Sequence, residues 1–136
     1  MLNNLWNESF VFTFRVLLVE NAILLIQEVY RVLRPRGLVL SRQPNAGSLL
    51  SRDAYYSDYT HKWFHSSRGL SYLFSAAKFG KIKALPVYPE GPGVKAIAAL
   101  VLKIYFGVHK MFFLLENGVN ARPIFTKNFI IMASKV

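Results

Sequence analysis

The chain has 136 residues, 53% of them hydrophobic and 15% aromatic, enough for one packed core and too apolar for a disordered segment. It contains no cysteine, which excludes disulfides and thiolate metal sites and leaves apolar burial to supply the stability. The 17 Lys and Arg against 7 Asp and Glu give a formal charge of +10, which attracts acidic partners at long range; the basic residues are scattered singly, without the cluster that marks a nucleic-acid patch, so no nucleic acid is expected as a partner.

Met1 to Glu20 shows no basic leader followed by an apolar run and a small-residue cleavage site, so a cytoplasmic location is expected. Its apolar stretch, Val11 to Val19, is interrupted by Arg15 and is a candidate strand. From Ala22 to Leu33 the apolar Leu25, Val29, Val32 and Leu33 are spaced i, i+4, i+7, i+8 while Gln27, Glu28, Arg31 and Arg34 turn outward, which predicts an amphipathic helix. Arg31 and Arg34 complement its C-terminal dipole, and Pro35 with Gly37 ends it. Leu38 to Leu40 reads as a short buried parallel strand.

Pro44, Asn45, Gly47 and several serines then break regular structure, and Ser51 to His65 is polar, aromatic and without a period. Lying beyond the carboxyl end of a strand, this loop is where an open α/β sheet places its ligands. Ser66 or Ser67 caps a second helix with Leu70, Leu73, Phe74 and Ala77 on one face, closed by Gly80. Lys81 to Val87 predicts an edge strand, because Pro86 cannot donate to a central ladder.

Val94 to Leu115 is the longest helical pattern, and at about 100° per residue Lys95, Lys103, His109 and Lys110 fall within one arc. It is long enough to span a bilayer, but a central lysine costs ~2.5–3.5 kcal/mol on insertion scales and the polar stripe is continuous, which disfavours a spanning helix. Two readings stay open: a lid packed over an apolar substrate, or a helix lying on a membrane surface. Asn117 and Gly118 stop it, and Asn128 to Ser134 is a last strand.

Two segments in this order carry a resemblance. ILLIQEVYRVLRPRGLVLSRQPN, residues 23–45, and YYSDYTHKWFHSSRGLSYLFSAAKFGKI, residues 55–82, resemble the C-terminal part of a class I S-adenosylmethionine-dependent methyltransferase. The first matches the helix before strand five, its "rvLkPGG" turn, strand five and a "PN" loop; the second matches the aspartate, threonine, histidine loop and a helix ending near "aGF". TKNFIIMASK, residues 126–135, resembles the closing strand seven, antiparallel between strands five and six. Arg36 replaces the first turn glycine and Lys78 the glycine of "aGF".

The resemblance implies an α/β fold, the 5-7-6 edge of a Rossmann-like methyltransferase sheet, with Val11 to Val19 as a candidate for strand four and flanking helices. Residues 1–20 form a separate N-terminal segment, 20–136 a partial methyltransferase domain, and 94–116 an inserted lid or interfacial helix. No G-x-G-x-x-G-like loop between a strand and a helix occurs, so no cofactor-binding residues are assigned, and the chain by itself is expected to be inactive and to hold S-adenosylmethionine poorly.

The resemblance implies that the intact form methylates a small molecule, a hydrophobic one being among the candidates. His61 is the candidate general base, since its ordinary pKa lies close to neutrality, and Asp58 the residue that orients it; hydrogen bonding of His61 to loop backbone is the competing reading. Tyr55, Tyr56, Tyr59 and Trp63 are candidate walls of a substrate pocket, or else core residues pinning the loop. His61, His65 and Asp58 are too loosely spaced to imply a metal site. An exposed apolar strand edge predicts self-association. The rival functions are a basic membrane-surface module acting through the long helix and a non-catalytic fragment that pairs with another chain.

Overall fold

The computed structural model describes residues 11–13, 19–88, 96–118 and 123–136. Four strands, β1 (Val11–Thr13), β2 (Leu38–Pro44), β3 (Phe79–Val87) and β4 (Asn128–Lys135), form one sheet in the order β1-β2-β4-β3. β1 is parallel to β2, and β4 runs antiparallel between β2 and β3. This is the edge the resemblance implies, including the strand-four position. Residues 14–18 of the expected first strand lie outside the described residues.

Side chains alternate across the sheet with the period of two that a pleated strand imposes. Val39, Ser41 and Gln43 on β2 and Phe129, Ile131 and Ala133 on β4 are buried, under helices α1 (Ala22–Val32) and α3 (Ser67–Ala76). Ile26, Leu70 and Phe74 fill the space between helices and sheet, and Phe79 receives the edges of Tyr30 at 5.0 Å and the tilted ring of Phe74 at 5.2 Å. A short helix, α2 (Arg52–Tyr56), and a long one, α4 (Ala96–Asn117), complete the fold.

Several local expectations change in register. The buried face of α1 is Ala22, Ile26, Val29 and Leu33, whereas Val32 is exposed. The run Ile23-Leu24-Leu25-Ile26 satisfies the helical period on either face, so only the partner helix decides which side turns inward. β2 extends to Pro44 beyond its apolar start, because Ser41 and Gln43 point into the core and bond to each other, Gln43 Nε2 donating to Ser41 Oγ at 2.6 Å. A polar pair on the buried face hides a strand from a hydrophobicity reading. Residues 49–56, expected as loop, form a 3-10 turn followed by α2. Ser66 caps α3 as expected, accepting from the Gly69 N–H at 3.1 Å.

The turns show that both departures from the family pattern fall at left-handed positions. Gly37 N–H donates to the Arg34 carbonyl at 2.9 Å, with Pro35 and Arg36 at the corners. Arg36 has φ +62°, the left-handed conformation that the third position of a type II turn demands. A Cβ on Gly37 would stand 2.8 Å from the Arg34 carbonyl oxygen, so the second glycine of the motif is sterically required. Lys78, at φ +69°, closes α3 in place of the expected Gly80, which lies within β3.

A left-handed residue with a Cβ costs about 1–2 kcal/mol, and glycine's greater unfolded-state freedom returns about 0.4–1 kcal/mol of that. Arg36→Gly and Lys78→Gly are each expected to raise stability by about 0.5–1 kcal/mol and to add, since the sites share no partner. Urea midpoints of the single and double variants measure it; a lower midpoint for either contradicts the strain.

Candidate functional site

The carboxyl end of β2 opens into a turn organised by one buried side chain. Asn45 Nδ2 donates to the Ile124 carbonyl at 2.6 Å and the Thr126 carbonyl at 3.1 Å, while its Oδ1 accepts from Gly47 N–H at 3.0 Å. Its own N–H donates to the Lys127 carbonyl at 3.0 Å. The Ser51 hydroxyl donates to the Asn45 and Ser48 carbonyls. Asn45 thus joins the end of β2 to the segment entering β4, satisfying groups that burial would otherwise leave bare. Sequence reading placed it as a strand breaker and as the asparagine of the "PN" loop, neither of which shows the distant carbonyls it binds.

The loop that follows brings several sequence candidates together. Tyr55 stacks on Phe64, ring centroids 4.5 Å apart, and on His61 at 5.8 Å, with Tyr56 edge-on at 5.0 Å. His61 Nδ1 lies 3.1 Å from the Tyr55 carbonyl, which sets the tautomer with its proton on Nδ1 and leaves Nε2 facing Asp58 Oδ2 at 3.6 Å. The expected Asp58–His61 pairing is present, and so is the backbone bond. Asp58 Oδ1 accepts from the Thr60 hydroxyl at 2.6 Å and the Thr60 N–H at 2.9 Å. Those bonds, the hydroxyl first, hold its carboxyl below the usual carboxylate range, with His61 a smaller contribution. Trp63 donates its indole N–H to the Glu20 carbonyl at 2.7 Å and stacks near His65; burial lowers the His65 pKa. Tyr56 and Tyr59 project outward, 78% and 96% exposed.

A cavity of about 590 Å³ lies between α4 and the strand ends. Leu102 and Phe106 of α4 form one side, Leu50 and Val87 supply apolar walls, and Arg42 and Lys127 bring positive charge. None of Tyr55, Tyr56, Asp58, Tyr59, His61 or Trp63 lines it. The helix is held over the cavity by Phe125, which is buried and stacks on His109 with centroids 4.1 Å apart and meets Phe113 edge-on at 5.6 Å. Sequence reading missed Arg42, Lys127 and Phe125, which become neighbours of α4 only through the turn that Asn45 holds.

No protein-family profile matches the sequence, and no curated protein matches it. Solved structures do share its fold. A SAM-dependent methyltransferase from Archaeoglobus fulgidus, 16% identical, superposes with a TM-score of 0.59 over 94% of this chain and 59% of its own length. A SAM-dependent methyltransferase from Thermotoga maritima, described as a possible histamine N-methyltransferase, is 15% identical with a TM-score of 0.60 over 93% of this chain and 55% of its own. The chain has the fold of the C-terminal part of a SAM-dependent methyltransferase. Phosphoethanolamine N-methyltransferase 2 of Haemonchus contortus, in complex with phosphomonomethylethanolamine and S-adenosylhomocysteine, is 16% identical with a TM-score of 0.50 over 92% of this chain and 33% of its own. The chain therefore spans little more than half the length of the first two relatives.

The methyltransferase fold implies S-adenosylmethionine, and the turn after β2 does not supply a phosphate-type cradle for it. The turn after β2 has its N–H groups committed internally, Gly47 to the Asn45 side chain and Ser48 to the Asn45 carbonyl, so it offers no cradle of free donors to a nucleotide. What the described residues of this methyltransferase fold provide is a walled space at the strand ends, beneath a helix.

Proposed function

We propose that this chain supplies the acceptor side of a SAM-dependent methyltransferase, with a small, largely hydrophobic methyl acceptor held in the cavity between α4 and the end of β2. The observation that carries the reading is the position of that cavity: it opens at the carboxyl end of a strand with a parallel neighbour, where open α/β sheets bind ligands. Methyl transfer is a displacement in which the protein chiefly positions the acceptor and excludes water. Leu102 and Phe106 would do the excluding, and Arg42 and Lys127 would favour an acceptor with an electron-rich polar end. A second reading places the acceptor at the 55–65 loop instead, where His61 Nε2, beside Asp58, would be the base.

Methyl-resolved NMR of the chain titrated with phenols, amines and carboxylic acids tests the placement. Shifts at Leu102, Val87 and Leu50 are expected; a response confined to residues around Tyr55 and His61 would overturn the cavity and favour the loop. Calorimetric titration with S-adenosylmethionine is expected to show no saturable binding at micromolar concentration. Micromolar affinity would overturn the assignment of this chain to the acceptor side.

A further inference from the structure

Helix α4 is apolar on both its inner and its outer side, an arrangement that water alone does not favour. Its inner side, Leu102, Tyr105, Phe106, His109 and Phe113, is half-buried against the body, and carries the Tyr105 hydroxyl and the His109 Nδ1, both buried and without hydrogen-bond partners. Its outer side is apolar. At about 100° per residue, Leu100, Ile104, Val108, Met111, Phe112 and Leu115 fall within an arc of about 120°, and they are between 48% and 76% exposed. A surface helix in water turns its apolar stripe to the core and its polar groups outward; here a second apolar stripe faces away from the body. The 20 residues Ala98–Asn117 are long and apolar enough to cross a bilayer, and none of these residues is fully buried in the protein.

Charge selects the occupant of this face. Lys103 and Lys110 are exposed and lie together on one flank of the apolar arc, positioned to reach headgroups while the arc enters the acyl boundary. The chain carries +10, so a second copy would bring like charge against like, whereas a surface of anionic lipid attracts it. Within the described residues, His109 and Phe113 pack on Phe125, contacts that a helix lying alongside the protein keeps and one inserted across a bilayer would give up. We infer that α4 docks the protein on an anionic membrane surface, lying in the interface plane with its outer arc inserted and Lys103 and Lys110 among the headgroups. This inference is independent of the methyl-transfer reading.

Co-sedimentation with vesicles tests it, using phosphatidylcholine alone and an equimolar mixture with phosphatidylglycerol. The chain is expected to sediment with the mixed vesicles and much less with phosphatidylcholine. Ile104→Glu with Met111→Glu should weaken binding at least roughly tenfold, since two charges would enter the acyl boundary. Both side chains are exposed, so the fold should persist, as circular dichroism checks. Lys103→Glu with Lys110→Glu should weaken binding to the mixed vesicles by roughly fivefold or more per site at low salt. Gly107→Leu, whose added Cβ meets open space, should strengthen it. No sedimentation with mixed vesicles, or binding indifferent to the apolar variants, would overturn the inference. So would retention after alkaline carbonate extraction, the mark of a spanning helix, or a vesicle-free dimer abolished by Ile104→Glu, which would assign the face to a second copy.

Discussion

Replacing Asn45 with aspartate is expected to cost about 3–5 kcal/mol at neutral pH, a large share of the stability of a domain this size. Asn45 is fully buried and its Nδ2 donates to two carbonyls, those of Ile124 and Thr126. A carboxylate keeps the bond from Gly47 N–H but turns an acceptor on both carbonyls and must be desolvated without a cation. Asn45→Ala leaves the same carbonyls unpaired without the charge and is expected to cost about 2–4 kcal/mol. Burial raises the pKa of the introduced carboxyl, and a protonated acid regains one donor. The aspartate variant should therefore approach the alanine variant in stability as pH falls from 7 to 5. Urea midpoints at the two pH values measure this; an aspartate variant as stable as the parent at pH 7 would remove Asn45 from its place as the link between β2 and β4.

The same substitution should reach the candidate site, because the segment Asn45 holds carries Phe125 and Lys127. Phe125→Ala is expected to detach α4. Truncating a buried phenylalanine costs about 3–5 kcal/mol, and here the lost packing includes the ring contacts to His109 and Phe113. The helix would then open on its own: about 3 kcal/mol corresponds to a roughly hundredfold larger opening constant. Amide hydrogen exchange is the suitable measurement. Protection in α4 should fall by about that factor while β2 and β4 amides keep theirs, and Phe125→Leu should retain most of it. Undiminished protection in α4 would mean that other contacts hold the helix.

These two sites also mark the boundary between what a linear reading reaches and what it does not. The N-terminal cap of α3, the turn after α1, the edge position of β3 and the end of α4 at Asn117 and Gly118 were legible because each signal is confined to a few neighbouring residues: a serine hydroxyl at Ser66, a proline and glycine at 35 and 37, a missing donor at Pro86, a glycine at φ +85°. The motif order in 23–45 and 55–82 was enough to anticipate the strand arrangement. The pairing of Asp58 with His61 was likewise local, three residues apart, and the structure brings them together.

What tertiary structure alone decided is every feature that depends on a distant partner. The Asn45 bonds span 79 and 81 residues, so nothing near Asn45 in the chain distinguishes a hub from a strand breaker. The inward face of α1 is chosen by α3, because its apolar run fits the helical period twice over. The cavity joins Arg42 to Lys127 only through the β2–β4 register, in which Pro44 lies opposite Asn128. Helix α4 shows the limit most clearly. Its sequence placed a polar arc on an otherwise apolar cylinder, but which apolar side faces the protein and which is left outside was set by Phe125, through its ring contacts with His109 and Phe113.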